Sequence, residues 1–445
     1  MIHFQKTSLL IAAISFVHTA TSLAAGSPIA FVGARLIPIE GKEIDEGVLL
    51  IEGEKILAIG PAGEVKIPTA ARRIDASGKV IMPGLICTHS HIGGVGGADG
   101  SSPLQPGVRV YESIDIHDAG FRRAVAGGLT TLNIMPGSGH LSSGQTVYVK
   151  LRYGEGSPRT IEDLFIRDSA GKGLGGLKMA NGTNSIRSEG PFPGTRAKGT
   201  FLVRQEFIRA REYAAKVKKA RAEETEPPSR DLHLETLVEV MRGQRIVHHH
   251  THRHDDIMTV LRLAREFQFR VVLHHVSEGW RVAEQIAAAG APCSLILLDS
   301  PGGKLEARYL LLKNAGILEK AGVRCAVHTD DPITDSRYFF RMAALGLRAG
   351  MSRQGALEAL TLAGAEMLDL DERIGSLRAG KSADFILLNG DPLSVYAKVL
   401  ETWVEGKQVF DRSDPEDRLY AVGGYGAGHP VQPYLCCQSG EGEGN

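Results

Sequence analysis

Cysteine is scarce in this chain: five residues in 445, of which Cys87, Cys293 and Cys325 sit in apolar strand-like runs and Cys436 and Cys437 are adjacent in a glycine-rich tail. A disulfide-stapled scaffold is thereby excluded, and the first three cysteines read as buried thiols. An excess of charge of one sign is also missing, because 51 Lys+Arg meet 51 Asp+Glu and the formal net charge is zero. No global field draws the chain towards nucleic acid or an anionic membrane, so no nucleic-acid partner is expected. Nor is there an apolar run of about 20 residues, the length that spans a bilayer. The glycine-rich stretches 93–97 and 136–140 lack the strand-to-helix phosphate fingerprint and read as rim loops. No short internal repeat points to a solenoid.

What is present is ordinary globular composition, 43% hydrophobic and 23% charged, with 53 glycines that imply many tight connections. At roughly 150 residues per domain the length suggests about three domains, although one α/β barrel alone takes about 250 residues. The first 25 residues stand apart. Lys6, the apolar run Leu9 to Val17 and the small residues Ser22-Leu23-Ala24 before Ala25 have the grammar of a secretory signal. The mature protein is therefore expected to be exported, periplasmic or secreted, without membrane insertion after the signal is removed.

Beyond the signal, short β-like runs (Ile29 to Val32, Val48 to Ile51, Ile56 to Ile59) alternate with Gly, Pro and Asp. The same pattern returns some 300 residues later at Asp384 to Leu388, Val399 to Val404 and Val409-Phe410, so one small β domain built from both chain ends is expected. Between them, apolar runs alternate with helical periods. Asp255-Asp256 are expected to cap a helix carrying Ile257, Val260, Leu261, Ala264 and Phe267, and a second helix with Trp280, Ala283, Ile286 and Ala287 is expected to stop at Gly290. Strand, polar end, helix, repeated, predicts parallel βα units whose strand ends converge on one mouth. The segment 201–221 predicts a solvated helix within an insertion.

Metal-ligand residue types recur at the ends of apolar runs: His89 and His91 after Leu85-Ile86, His250 after Ile246-Val247, His275 after Val271 to Leu273, and Asp330 after Val323 to Val327. Residues i and i+2 of a strand point the same way, so His89 and His91 can reach one ion. Neutral imidazole and carboxylate suit zinc. The spacing of 25 residues from His250 to His275 fits one βα unit. Local rivals crowd these positions: His248, His249, His252 and His254 around His250, and His274 beside His275, whose alternation should place adjacent rings on opposite faces. Asp331 is expected to be a cap before Pro332, and His328 a rim side chain.

At Met82-Pro83-Gly84-Leu85-Ile86-Cys87-Thr88-His89-Ser90-His91 and again at Gly375 to Asp384, the sequence resembles the amidohydrolase superfamily, and more closely its imidazolonepropionase-like and prolidase-like exported members, over about residues 28 to 412. The resemblance implies a TIM-like (β/α)8 metal-dependent hydrolase barrel beside a composite β-sandwich. The expected division is signal 1–25, sandwich 26–82, barrel 83–368, sandwich 369–412 and tail 413–445. It further implies His89 and His91 as first-strand ligands, His250 and His275 as fifth- and sixth-strand ligands, and Asp330 as the eighth-strand carboxylate and proton acceptor. One or two divalent ions, with zinc first, are implied. A carboxylated lysine bridges two ions in binuclear members; Lys178 is the candidate here and Lys150 its weaker rival.

Cys87 departs from the family pattern, which has Asp or Asn there, and removes an acceptor that could orient a ligand. His140 and His252 are expected to touch substrate. The implied activity is hydrolysis of an amide, peptide-like or N-acyl C–N bond through metal-activated water, with His275 or His250 helping to stabilise the oxyanion. A small molecule or short peptide is the expected partner, and homo-oligomer formation is left open. The alternatives are a deaminase or a cyclic amide or imide hydrolase of the same superfamily, and a non-catalytic exported metal-binding protein. Deamination is disfavoured because His250-Thr251-His252-Arg253 stands where many deaminases carry His-x-Asp-Glu or His-x-Glu.

Overall fold

The computed structural model describes residues 27–95, 99–154, 158–297 and 304–423. The expected signal segment, Cys436, Cys437 and most of the tail lie outside the described residues. No helix among the described residues is long and apolar enough to cross a membrane.

Eight strand positions close into a barrel. Leu85–Ser90 pairs in parallel with Leu129–Ile134, which pairs antiparallel with Val147–Lys150. The same stretch, read back through Thr146 to Ser142–Gln145, pairs antiparallel with Leu177–Ala180. Parallel pairings then lead to Val247–Thr251, Val271–His275, Cys293–Leu295 and Cys325–Val327. A parallel bridge from Ser90 to Asp331 brings the last position back to the first; the Asp330 amide donates to the His89 carbonyl at 3.1 Å, and the His91 amide donates to the Asp331 carbonyl at 3.0 Å. The third position runs against the other seven, which an ideal βα repeat does not have. The reason lies in chain length: only residues 135–141 separate the second strand from the third, and a parallel crossover needs about a dozen residues or more.

The helices follow their apolar faces with corrections at the ends. The insertion helix Arg196–Ala222 is capped by the Thr195 side chain, which accepts from the Lys198 amide at 3.2 Å. It buries Val203, Phe207 and Ala210, and Phe207 stacks on Phe267 and Phe269 at 4.9 and 5.2 Å. The helix His254–Phe267 starts one residue before the expected caps, so Asp255 and Asp256 lie in its first turn, where carboxylates favour the positive end of the helix dipole. Trp280 belongs to the 3-10 turn Gly279–Arg281, and the helix proper is Ala283–Ala288. A helix absent from the sequence reading, Pro415–Val422, docks on Ala119–Ala126 through Arg122 and Asp417 at 2.5 Å.

The two chain ends share one β domain. Ile29–Leu36 pairs with Ile44–Glu52 along one edge and forks along the other, to Arg72–Asp75 and then Val80–Pro83. Phe385–Leu388, from the far end of the chain, pairs antiparallel with Val80–Pro83, and Val399–Val404 and Lys407–Asp411 extend the sheet. Phe31, Phe385 and Trp403 meet with ring centroids 5.0 to 5.5 Å apart. This cluster ties both ends into a single core, each aromatic contact adding about 0.5–1.5 kcal/mol beyond area burial.

Barrel and sandwich are also locked electrostatically. Lys150, at the end of a barrel strand and buried, lies 2.8 Å from Asp384 and 3.1 Å from Glu405 of the sandwich, and Arg152 holds the other Glu405 oxygen at 2.7 Å. Burial alone would raise the Glu405 pKa, but the Arg152 hydrogen bond and the Lys150 and Arg152 charges bring it down to about 2 from 4.5. A folded-state pKa below the unfolded one stabilises the protein above the unfolded value, and this contribution disappears as pH falls through the folded value. Glu405→Gln should therefore lower stability by about 3 kcal/mol at neutral pH. In denaturant titrations its gap from the wild type should close as pH falls from 4.5 towards 2; a gap that persists at pH 2 would show that the carboxylate charge is not what stabilises the contact.

Candidate metal centre

The C-terminal strand ends deliver histidines to one place because strand alternation and two local backbone reversals aim them there. His89 and His91 project from the end of the first strand, their Nε2 atoms 3.3 Å apart. One Asp330 oxygen sits 3.1 Å from His89 Nε2 and 2.9 Å from His91 Nε2. Lys178, on Leu177–Ala180 and fully buried, places Nζ 3.0 Å from His89 Nε2 and 3.1 Å from Met135 Sδ. His91 is oriented by its Nδ1, 2.7 Å from the Met135 carbonyl.

Beside this group His250, His252 and His275 form a second, all buried, with ligand atoms within 4.8 Å of one another. The His250 and His275 rings are 4.3 Å apart, centre to centre. His252 Nδ1 bonds Ser277 at 2.7 Å and His275 Nδ1 faces His328 Nε2 at 3.4 Å. The Nε2 atoms of His252 and His275 and both nitrogens of His250 have no hydrogen-bond partner. Buried polar atoms without partners are costly, at about 1–3 kcal/mol each. Several of them converging on one point, beside a carboxylate and the pair His89 and His91, fit a ligand set for a divalent ion. The buried histidine clusters are consistent with a binuclear metal centre.

The reading of adjacent rings on opposite faces fails at His274-His275. His275 has φ +70° and Val276 φ +52°, a left-handed turn that ends alternation and brings His275 inside as well as His274. Asp330 also has a positive φ, +54°. His328 is no rim residue: it is fully buried, with Nδ1 2.8 Å from Ser294 Oγ. Asp331 does not cap a helix; its carboxylate accepts from the Ser336 amide and hydroxyl at 2.8 and 2.7 Å. Lys150 is removed as a rival of Lys178 by its ion pairs with Asp384 and Glu405. His140 is buried against Phe192, 5.1 Å between ring centres, and belongs to none of the histidine–carboxylate groups.

Electrostatics follow burial. Desolvation drives the pKa values of His89, His250 and His275 well below 6.5 and that of His252 down to about 3, so these rings are neutral, the form that binds metals. Burial pulls Lys178 down to about 7, against the opposing pull of Asp330. For Asp330 burial acts upward, but the His91 hydrogen bond and the surrounding imidazoles outweigh it and hold the carboxyl well below its usual range. Cys87 is pushed up to about 11 by burial and stays a thiol, donating to the His89 carbonyl at 3.1 Å.

Two further buried groups, Tyr148 and Ser294, have no place in the sequence reading, and His248 enters it only as a rival of His250. Tyr148 Oη lies 3.0 Å from His248 Nε2, His248 Nδ1 lies 3.0 Å from His274 Nε2, and Thr88 Oγ1 lies 2.6 Å from Ser294 Oγ. Alternation from His250 predicts that His248 shares its face, a signal that was available. Gly176 leaves room for that ring, since a Cβ there would stand 2.3 Å from it.

Comparison with known proteins agrees with this geometry. A model of the amidohydrolase family matches residues 238–410. The amidohydrolase tasK of Hapsidospora irregularis is 29% identical over 380 residues, which is 79% of this chain and 38% of that protein, so the chain spans well under half of that relative's length. The imidazolonepropionase of Bdellovibrio bacteriovorus is 24% identical over 405 residues, 82% of this chain and 89% of its own. A solved amidohydrolase from Thermotoga maritima superposes with a TM-score of 0.78 at 30% identity, covering 86% of this chain and 100% of that one. A prolidase complexed with N-methylphosphonate-L-proline shares the fold, at a TM-score of 0.53 and 18% identity.

The ligand-set reading is checked by thermal denaturation with and without Zn(II). Saturation at 100 times Kd should stabilise the wild type by about 2.7 kcal/mol for each ion held, and the His250→Ala/His275→Ala double variant should lose the increment of one ion. An equal increment in both proteins would show that His250 and His275 hold none.

Proposed function

This chain belongs to the amidohydrolase family, and we propose that it is an exported metal-dependent hydrolase of a C–N bond in a peptide-like or N-acyl amide. The observation that carries the reading is the convergence of the partnerless nitrogens of His250, His252 and His275 with His89, His91 and Asp330. Export is supported by the Lys6, Leu9 to Val17 and Ser22-Leu23-Ala24 pattern alone.

His89, His91 and Asp330 would hold one ion and His250 and His275 a second, with His252 at its edge. When bound, zinc supplies Lewis acidity and makes hydroxide available near neutral pH by lowering the pKa of water from 15.7 towards about 7. Lys178 would help to hold the ions as a carbamate: at a pKa of about 7 its free amine is populated at neutral pH, and that amine would add carbon dioxide with loss of one proton to give a carboxylate. Asp330, ionised throughout the neutral range, accepts the proton of the attacking solvent molecule and returns it to the departing nitrogen. The imidazoles of His250 and His275 are kept neutral by burial, which leaves their lone pairs available to a cation.

The rim supports a substrate that carries a carboxylate. Loops that follow four successive strands form a cavity of about 460 Å³ lined by Arg253, Arg281 and Arg308 together with Glu278 and Glu306; Arg253 pairs with Asp255 and Arg281 lies 3.6 Å from Glu278, so Arg308 is the cation best placed for a substrate carboxylate. Arg281 lies 4.2 Å above the Trp280 ring and Arg308 4.6 Å above the Tyr309 ring. A cyclic amide is the second reading, favoured by similarity along 82% of this chain to a protein named imidazolonepropionase.

Asp330→Asn should abolish turnover while retaining most of the bound metal; full activity in that variant would remove Asp330 as the proton acceptor. On a panel of N-acyl amino acids, their carboxamides, dipeptides and cyclic amides, amine release should require metal and favour the free carboxylates. Turnover of cyclic amides alone would select the second reading, and no turnover with metal fully bound would leave a binding protein. Arg308→Gln should raise KM for the carboxylates about tenfold with little change in kcat, the loss expected for one charge-assisted hydrogen bond.

A further inference from the structure

Beneath the ligand set three imidazoles and a phenol form an unbroken line. Tyr148 Oη is 3.0 Å from His248 Nε2, His248 Nδ1 is 3.0 Å from His274 Nε2, and His274 Nδ1 is 3.3 Å from His89 Nδ1. His89 Nε2, at the far side of the last ring, faces His91, Asp330 and Lys178. All four side chains in the line are buried: His89, His248 and His274 are at 0% exposure and Tyr148 at 3%. His274, which with His89 and His328 is close enough to hold an ion, differs from His250 and His275 in that both of its nitrogens are engaged, and from His89 in that both are engaged by other rings and neither faces the Asp330 carboxylate. Its surroundings are those of a hydrogen-bonding residue.

We propose that Tyr148, His248 and His274 are positioning residues that act as a tautomer relay, fixing the proton of His89 on Nδ1 so that Nε2 is presented to a divalent ion. The proposal rests on the metal-dependent reading above. Its logic is proton counting. A neutral imidazole carries one N–H, so a lone pair on His89 Nε2 requires the hydrogen on Nδ1, which must donate to His274 Nδ1. His274 then carries its hydrogen on Nε2 and donates to His248 Nδ1. His248 in turn carries its own on Nε2 and donates to Tyr148 Oη. Each ring is left one choice, and the phenol oxygen ends the series as acceptor. His248 and His274 are fully buried and their nitrogens meet only other rings and the phenol, so neither has a carboxylate in hydrogen-bond contact that would favour a second proton. Reversing any one bond reverses all of them and puts a hydrogen on His89 Nε2, where an ion cannot bind. Metal-ligating histidines usually obtain this orientation from one carboxylate or carbonyl; here position 87, where the resemblance implies Asp or Asn, is a thiol that bonds the His89 backbone.

The test uses the full-length protein labelled with ¹⁵N-histidine, with Zn(II) as the probe. In the zinc-loaded wild type, two-bond ¹⁵N–¹H correlation spectra should show His248 and His274 as single Nε2–H tautomers. Tyr148→Phe, which removes only the terminal acceptor, should break that uniformity and weaken Zn(II) in a chelator competition by about tenfold, at the lower end of the 10–100-fold loss typical of such outer contacts. His274→Gln should weaken it more, and His274→Asn serves if the glutamine variant does not fold. An Nδ1–H tautomer at His274 in the zinc-loaded wild type, or unchanged zinc affinity in folded Tyr148→Phe and His274 variants, overturns the relay while leaving the hydrolase reading intact. Failure of the wild type itself to bind Zn(II) overturns both.

Discussion

Imidazole can be buried neutral in a barrel interior only if its two nitrogens find partners, and the interior of this protein is organised by that requirement. Half of its 16 histidines gather there. Six of them sort into two layers by how the requirement is met. In the lower layer His248, His274 and His328 have both nitrogens engaged by Tyr148, Ser294 or neighbouring rings. In the upper layer His250, His252 and His275 keep nitrogens with no protein partner. Histidine content alone does not distinguish the layers; hydrogen-bond accounting does, while His89 and His91, engaged at both nitrogens, are marked instead by the Asp330 oxygen that faces both of their Nε2 atoms.

The rest of the fold keeps those rings in register. Left-handed backbone at His275 and Asp330 is unfavourable for residues with a Cβ, and it persists where the alternative would turn a site residue away from the barrel axis. The antiparallel third position supplies Tyr148 and Lys150 from a single strand, with opposite duties. Tyr148 supports the histidine line, whereas two residues on Lys150 reaches out of the barrel to Asp384 and Glu405. One short strand thus connects the interior of the site to the domain made by the chain termini.

Much of this was legible in the amino-acid sequence, and the exceptions have physical causes. His89, His91, His250 and Asp330 were readable because each ends an apolar run, where side chains of a parallel barrel converge. His248 was equally readable by alternation from His250, yet its neighbours drew attention to the strand end. His274 was not readable, since its inward direction together with that of His275 depends on a backbone reversal that ordinary residues seldom adopt and that carries no glycine marker. Lys178 and Lys150 both follow short apolar runs; what distinguishes them is whether a carboxylate waits behind the strand, and both waiting carboxylates come from more than 230 residues further along the chain. The orientation of the third strand was hidden in a loop length that pattern reading passed over.

The cysteine at position 87 shows how a departure in one residue can be absorbed by its surroundings. A carboxylate or amide there could have accepted from a ligand ring; a thiol with a pKa raised to about 11 is a poor acceptor and spends its proton on the His89 carbonyl instead. The acceptor facing His89 Nδ1 comes from across the barrel, on the sixth strand. An imidazole in that place differs from a carboxylate in kind, because a carboxylate accepts without condition whereas a neutral ring accepts at one nitrogen only if its hydrogen is on the other. The orientation of the ligand therefore cannot be settled by one contact. It has to be passed from ring to ring until it reaches a group that can take the last hydrogen, and the Tyr148 oxygen, 3.0 Å from His248 Nε2, stands in that place.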